Sequence, residues 1–232
     1  MIHVGCCGFS VGMEKYFQSF KLVEVQKTFY KPPLIKTALR WRESAPKDFE
    51  FTVKAWQLIT HLPKSPTYRR ANIEVPSEEK YGFFRPTKEV FNAWEGTKEI
   101  CEALETKIVL FQTPHSFRAT KENVANMKEF FSSISGFTFA WEPRGWDDVL
   151  VREVCKELGL VHCVDPFVGK PTHGDIIYLR LHGIGGYRYR YKKEDLLTLR
   201  RFCEADKGVY CLFNNVYMYE NALEFKEMIL GI

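Results

Sequence analysis

Five ionisable side chains lie within or at the end of short apolar runs of the sequence. They are Glu24, Lys54, Glu142, Arg180 and His182. Two carboxyl groups beside cations can share general acid and general base work, because neighbouring charges drive their pKa values apart. The same cations can clamp an anion. We therefore predict that Glu24, Glu142, Lys54 and His182 are catalytic and act on an anionic ligand.

Arg180 and His182 belong to an alternating stretch, IIYLRLHG, at residues 176–183. Leu179 and Leu181 fall on one face of a strand, and Arg180 and His182 fall on the other. An unpaired buried guanidinium is too costly to keep, so the polar face must meet water, a ligand or opposite charge. We predict that Arg180 lies within salt-bridge reach of Glu142, Glu24 or Asp165.

The elements that must position these groups alternate regularly along the chain. Strand-like runs occupy residues 2–7, 22–26, 51–54, 108–112, 137–141, 160–164, 176–182 and 209–213. Helical patterns occupy most intervals, and the clearest lie at residues 34–44, 88–105, 121–132, 148–158, 193–205 and 220–230. This alternation predicts a (β/α)₈ TIM-like barrel, an α/β fold, in one domain over residues 1–232. An open doubly wound sheet is the alternative, although neither common phosphate-binding glycine motif is present.

The polar residues gather at or near the C-terminal ends of the strands, where barrel enzymes place their active sites. We assign ligand binding to Tyr30, Gln112, Arg144, Asp165, Arg180, Asn214, Tyr187 and Arg190. The structural alternative is that Glu24, Lys54, Glu142 and Arg180 only neutralise one another inside the barrel.

Two segments outside the regular pattern could contact a ligand. The interval after the third strand, residues 55–87, is too long for a plain connection and is expected to be a lid or substrate-contact insertion. The run YRYRYK at residues 187–192, if extended, would show tyrosines on one face and cations on the other. That combination suits the stacking of bases and the binding of phosphates, whereas a solvated loop is the simpler explanation.

Metal and thiol chemistry have weaker support. His61, His115, His182, Glu142 and Asp165 are suitable ligand types, but they lie on separate segments without a zinc-type spacing. We predict no metal ligand and no cofactor, with a divalent metal as the open alternative. A Cys7 nucleophile with His182 as its base is a further possibility.

Composition limits the class of protein. The formal charge of +4 permits an anionic partner without requiring a nucleic acid. Seven cysteines, an odd number, fit a reducing compartment better than a disulfide framework. No apolar run approaches the roughly 18 residues of a membrane span, and no signal peptide is evident. We expect a cytoplasmic protein without membrane contact, and its oligomeric state is open.

Several segments together resemble the YecE-like family: HVGCCGFS, VEVQKTFYKPP, VLFQTPHSF, EPRGW, YLRLHG with the following YRYRY, and LFNN. The resemblance runs in order over essentially the whole chain and implies a barrel of the TIM type. The family has no established activity, but likeness to barrel nucleases and sugar isomerases of the endonuclease IV type implies nucleic-acid or sugar-phosphate ligands. We therefore expect an enzyme, a hydrolase or isomerase, with a non-catalytic nucleic-acid or anion-binding protein as the alternative.

Overall fold

The computed structural model describes residues 1–231. Eight parallel strands form a closed barrel in which each strand pairs with its neighbours in sequence and β8 pairs with β1. This confirms the predicted TIM-type barrel. The strands are β1 (Ile2–Cys6), β2 (Leu22–Val25), β3 (Glu50–Lys54), β4 (Ile108–Gln112), β5 (Thr138–Glu142), β6 (Val161–Val164), β7 (Ile177–Leu181) and β8 (Val209–Phe213).

Helices surround the barrel, and all of the clearest helical predictions are confirmed to within a few residues. They are α1 (Met13–Ser19), α2 (Lys27–Tyr30), α3 (Ile35–Ser44), α4 (Gln57–Thr60), α5 (Pro66–Ala71), α6 (Lys88–Ala103), α7 (Lys121–Ser132), α8 (Asp148–Leu158), α9 (Lys193–Phe202) and α10 (Met218–Leu230). The connection between β6 and β7 contains turns and no helix. Its sequence, DPFVGKPTHGD, carries two prolines and two glycines, which oppose a helix.

Strand alternation divides the buried residues into two layers. Leu179 and Leu181 of β7 join the large cluster between the barrel and its helices. Tyr178 belongs to the smaller cluster that fills the barrel interior, together with residues such as Leu110 and Leu212. Arg180 shares the inward face of Tyr178, so the predicted register of β7 is confirmed.

The insertion after β3 is an ordered part of the barrel rim. It contains α4, α5 and a single 3₁₀ turn at Glu78–Lys80. The backbone N–H of Gly82 donates to Leu58 at 2.8 Å and that of Phe84 donates to Ile59 at 2.9 Å. The fully buried Phe84 ring packs against Phe111 of β4, which ties the insertion to the barrel wall.

All seven cysteines are buried and free of disulfide bonds. Within residues 1–231, no helix combines the length and the apolar character that crossing a membrane demands.

Barrel closure between β1 and β2 depends on a glycine. A Cβ atom at Gly5 would lie 2.2 Å from the carbonyl oxygen of Leu22, and both groups belong to backbone that cannot move independently. We expect Gly5→Ala to lower the free energy of unfolding by about 1–3 kcal/mol through this overlap. Gly12→Ala is the matched control, because a Cβ there meets nothing within 4 Å. Urea denaturation of the two variants measures the difference, and equal effects would contradict the proposed close approach.

Candidate functional site

The floor of the barrel mouth is a buried ion cluster centred on Arg180. Its guanidinium donates to Glu142 Oε2 through Nη1 and to Glu24 Oε1 through Nη2, the latter at 2.9 Å. The side chains of Arg180 and Glu24 are fully buried. Burial favours the neutral guanidine, but Glu24 and Glu142 outweigh it and raise the pKa of Arg180 well above its ordinary value. The predicted salt bridge is therefore present, with two carboxylates instead of one.

Glu24 is held below the reach of a ligand. Its Oε2 accepts a hydrogen bond from Tyr178 at 2.9 Å, and its Oε1 also accepts from Gln26. Tyr178 in turn lies 2.8 Å from the Thr52 hydroxyl. The carboxylate lines neither of the two cavities at the mouth. The contacts of Glu24 give it a supporting role for Arg180, whereas its predicted part in proton transfer stays a prediction.

Glu142 is the junction between the ion cluster and the mouth. Its Oε1 accepts from Gln112 at 2.9 Å, lies 3.1 Å from Nε2 of His182 and lies 3.5 Å from Nη2 of Arg144. Burial alone would raise the pKa of Glu142, but Arg180, His182 and Arg144 hold that pKa well below its usual range. Glu142 is consequently an ionised anchor at neutral pH.

Lys54 occupies the opposite side of the floor without a carboxylate partner. Its Nζ donates to Oε1 of Gln112 at 2.5 Å and lies 3.9 Å from the centroid of the Phe29 ring, a cation–π distance. The pKa of Lys54 falls from 10.5 to about 7, chiefly because of burial; the positive charges of Arg180 and Arg144 also lower it, whereas Glu142 and Glu24 raise it. This amine can both give and take a proton near neutral pH.

His182 is oriented from three directions. The Asn214 amide lies 3.0 Å from Nδ1, and when it donates there the ring proton sits on Nε2 and points at Glu142. The backbone N–H of His182 donates to Asp165 at 2.8 Å, and the Tyr187 ring stands edge-on at 5.6 Å. Burial raises the pKa of Asp165. These contacts fix the imidazole at the mouth.

Two adjoining cavities open at the C-terminal ends of the strands. The larger has a volume of about 420 Å³ and carries three cationic side chains, Lys54, Arg70 and Arg144. None of the described residues that line it is acidic. The smaller, of about 340 Å³, carries Glu142 and Asp165 with His182. The mouth therefore has a cationic side and a side equipped for proton transfer.

Most of the residues assigned to ligand binding reach these cavities. The larger cavity is lined by Tyr30, Gln112, Arg144, Tyr187 and Asn214, and the smaller by Arg144, Asp165 and Tyr187. Arg180 lies beneath both. Arg190 lies outside both cavities, exposed and 3.0 Å from Glu224.

The rim segment at residues 187–192 does not form the extended loop in which its tyrosines would share one face. The chain turns at residues 184–185 and again at residues 187–188, and Gly183, Gly185 and Gly186 all have positive φ. Tyr189 donates to Asp195 at 2.8 Å, and the buried Tyr191 hydroxyl accepts from the Gly183 N–H at 2.8 Å. Only Tyr187 of the three tyrosines lines the cavities, so a continuous stacking face is not formed.

Sequence reasoning missed several contributors to the mouth. Phe29 supplies the ring beneath Lys54, and Thr67 and Arg70 reach the larger cavity from the insertion. The insertion's basic composition was the available signal for Arg70, whereas no pattern distinguishes Phe29 from an ordinary core residue.

Metal and thiol chemistry find little support in the geometry. Within residues 1–231, no three His, Cys, Asp or Glu side chains gather in a way that could hold a metal ion. Burial, reinforced by Glu24, raises the pKa of Cys7 well above its ordinary value, so the thiol stays protonated and is a poor nucleophile.

Comparison with known proteins places the chain in a family. The family described as "Protein of unknown function DUF72" matches residues 10–230. The chain belongs to DUF72. UPF0759 protein YunF of Bacillus subtilis (strain 168) is 26% identical over 240 residues, spanning 88% of this chain and 80% of YunF. The DUF72 assignment takes the place of the narrower YecE-like name that the motifs led us to expect.

Solved structures share the architecture. A DUF72 family protein from Enterococcus faecalis V583 is 25% identical, covers 100% of this chain and 98% of its own, and superposes with a TM-score of 0.76. A D-tagatose 3-epimerase-like protein, 15% identical, covers 99% and 96% with a TM-score of 0.59. The second likeness concerns the fold alone.

The burial of Lys54 predicts a pH-dependent gain in stability when its charge is removed. A lysine whose pKa is near 7 in the folded state loses its proton on folding at any pH between about 7 and 10.5, and the free-energy cost of this loss grows as the pH falls. Below pH 7 the lysine is buried in its charged form, and the cost has its full value. We expect Lys54→Met to raise the free energy of unfolding by a few kcal/mol at pH 7 and below, on the order set by the lowered pKa. The gain should shrink as the pH rises towards 10.

Denaturant titrations of wild type and variant between pH 6 and pH 10 measure this gain. Lys64→Met, at an exposed lysine, is the control and should change stability little at any pH. A gain that stays constant across that pH range would show that Lys54 does not titrate as its burial requires.

Proposed function

We propose that this DUF72 protein is an enzyme that uses general acid/base chemistry on a small phosphate-containing ligand, a sugar phosphate, at the mouth of the barrel. The observation that carries the proposal is the 420 Å³ cavity in which Lys54, Arg70 and Arg144 converge without an acidic lining residue. Cations that converge in a concave site favour a dianion, and guanidinium groups bind phosphate through paired hydrogen bonds.

The two cavities have different functions in such an enzyme: the larger binds the phosphate, and the smaller supplies the histidine for proton transfer. Arg144, His115 and Tyr187 line both, so a ligand whose phosphate lies against the arginines of the larger cavity can extend across the shared boundary and reach both Lys54 and His182. There we assign proton transfer to Nδ1 of His182, where the ligand takes the place of the Asn214 contact, while Glu142 holds Nε2 and orients the ring. Lys54, with a pKa of about 7, is the second proton-transfer group.

The size of the site favours a small molecule over a nucleic acid. Ligand pockets of enzymes usually enclose about 300–1,000 Å³, and the larger cavity falls in that range. The rim offers fewer free groups for a nucleic acid than its sequence predicts, because Arg190 pairs with Glu224 and Tyr189 pairs with Asp195. The epimerase-like barrel among the similar structures is compatible with a sugar ligand, but a shared fold does not establish one.

We also propose a cytoplasmic location. Seven buried thiols without a disulfide, Cys6 and Cys7 adjacent among them, fit a reducing compartment. Labelling of the protein in intact cells and fractionation would test this.

Removal of Arg144 tests the anion site. We expect Arg144→Ala to weaken the binding of glycerol 3-phosphate at least about tenfold, equivalent to about 1.4 kcal/mol, because a direct phosphate contact is lost. Arg190→Ala is the control: it removes the same charge outside the cavities and should leave the affinity within about twofold. Isothermal titration calorimetry gives both values.

Two further results bear on the proposal. An enzyme of this class should exchange a carbon-bound hydrogen of a ketose phosphate such as fructose 6-phosphate for deuterium in D₂O, and His182→Ala should stop the exchange while binding persists. If sugar phosphates fail to bind while a single-stranded oligonucleotide binds in a manner that Arg190→Ala weakens, the proposal is wrong and the non-catalytic nucleic-acid alternative is correct.

A further inference from the structure

We infer that Lys54 is a covalent catalyst whose Nζ forms a Schiff base with the carbonyl carbon of the bound ligand. This inference rests on the proposed function and narrows its substrate to a phosphorylated aldehyde or ketone. The geometry points to Lys54 because it is the only buried lysine among residues 1–231 and its amine lines the cationic cavity.

The surroundings of Lys54 differ from those of a structural lysine. Buried lysines that serve the fold are paired with a carboxylate. No described carboxylate lies within 4.0 Å of the Lys54 Nζ. The two buried carboxylates nearby, Glu24 and Glu142, are both engaged by Arg180. What holds the amine is the neutral Gln112 amide and the face of Phe29, and both stabilise the ammonium less than a paired carboxylate would.

The reactive form of the amine is available at neutral pH. Burial is the main cause of its lowered pKa, and the charges that face it are Arg180 and Arg144, which favour the neutral amine, and Glu142 and Glu24, which oppose it. A lysine desolvated against an aromatic ring and beside other cations is the usual form of a Schiff-base nucleophile. About half of the molecules carry a free amine near pH 7, whereas an ordinary lysine is almost fully protonated there.

The step balances without any co-reactant. The lone pair of the neutral Lys54 Nζ forms a bond to the carbonyl carbon, and the π electrons of the C=O bond move onto oxygen. One hydrogen passes from nitrogen to that oxygen to give the carbinolamine. The C–O bond then breaks, the second hydrogen leaves with the oxygen as water, and the C=N bond forms. Amine and carbonyl thus give imine and one water.

The remaining cations of the cavity, Arg70 and Arg144, bind the phosphate group of the ligand in this scheme. Arg70 comes from α5 in the insertion and Arg144 follows β5, so they approach the cavity from elements other than β3. Because Lys54 can be neutral, these two guanidinium groups carry the permanent positive charge for the dianion. Binding through the phosphate would raise the local concentration of the carbonyl at the amine.

Reductive trapping tests the inference on the 232-residue chain. The protein is incubated at pH 7 with glycolaldehyde phosphate and sodium cyanoborohydride, which reduces an imine to a stable secondary amine, and the adduct is located by peptide mass spectrometry. We expect one adduct per chain, on Lys54, formed at least about tenfold faster than on the exposed Lys64, because far more of the Lys54 amine is neutral. Lys54→Met should abolish that adduct, and Lys64→Met should leave it unchanged.

The outcomes separate this inference from the proposed function. Adducts scattered over exposed lysines, with Lys54 unmodified, overturn the Schiff base. If glycerol 3-phosphate still binds in that case, the anion site stands and only the covalent step is wrong. Unphosphorylated glycolaldehyde should label Lys54 at least about tenfold more slowly. Equal rates for the two aldehydes would overturn the phosphate specificity drawn from the proposed function. Mapping on the wild type decides the matter even if a variant does not fold.

Discussion

A fully buried arginine between two carboxylates determines how the other side chains of the barrel mouth are positioned. Arg180 cannot stay in the barrel interior unpaired, since the loss of its hydration would cost several kcal/mol. Glu24 from β2 and Glu142 at the end of β5 supply the opposite charge. Glu142 is thereby fixed, and it fixes His182, Gln112 and Arg144 in turn. The order of the mouth derives from this one cluster.

The same cluster explains the unusual state of Lys54. Because Arg180 engages both carboxylates, Lys54 has only Gln112 and Phe29 as near partners, and burial moves its pKa towards neutrality. The larger cavity is left with positive charge and no lining acid among the described residues. We therefore propose that a structural charge layer and a ligand site form one arrangement, in which the lower part neutralises the buried charges and the upper part presents reactive groups to a ligand.

The sequence was sufficient to predict the fold and to predict which charged side chains meet at one end of the barrel. Period-two alternation in β7 predicts that Arg180 points inward, and strand order then brings Glu24, Lys54 and Glu142 to the same end. Alternation does not reveal depth along the barrel axis, so the burial of Glu24 beneath the cavity could not be predicted. The path of residues 187–192 could not be predicted either, because positive-φ glycines direct the turns there. The position of Arg70 at the cavity was equally unpredictable, because it depends on how the insertion packs.

The central claim is that the Arg180 cluster supports a ligand site and does not merely neutralise charge. Replacing Arg180 by Met alone leaves the buried Glu24 without a cationic partner and removes the most deeply buried cation from Glu142, which should cost about 3–5 kcal/mol. The triple variant Glu24→Leu, Glu142→Leu, Arg180→Met removes the whole cluster and should recover most of that stability. The decisive measurement is its affinity for glycerol 3-phosphate by calorimetry. The account predicts a loss of at least about tenfold, because Arg144 and Gln112 lose their anchor. A folded triple variant that binds with wild-type affinity would contradict it.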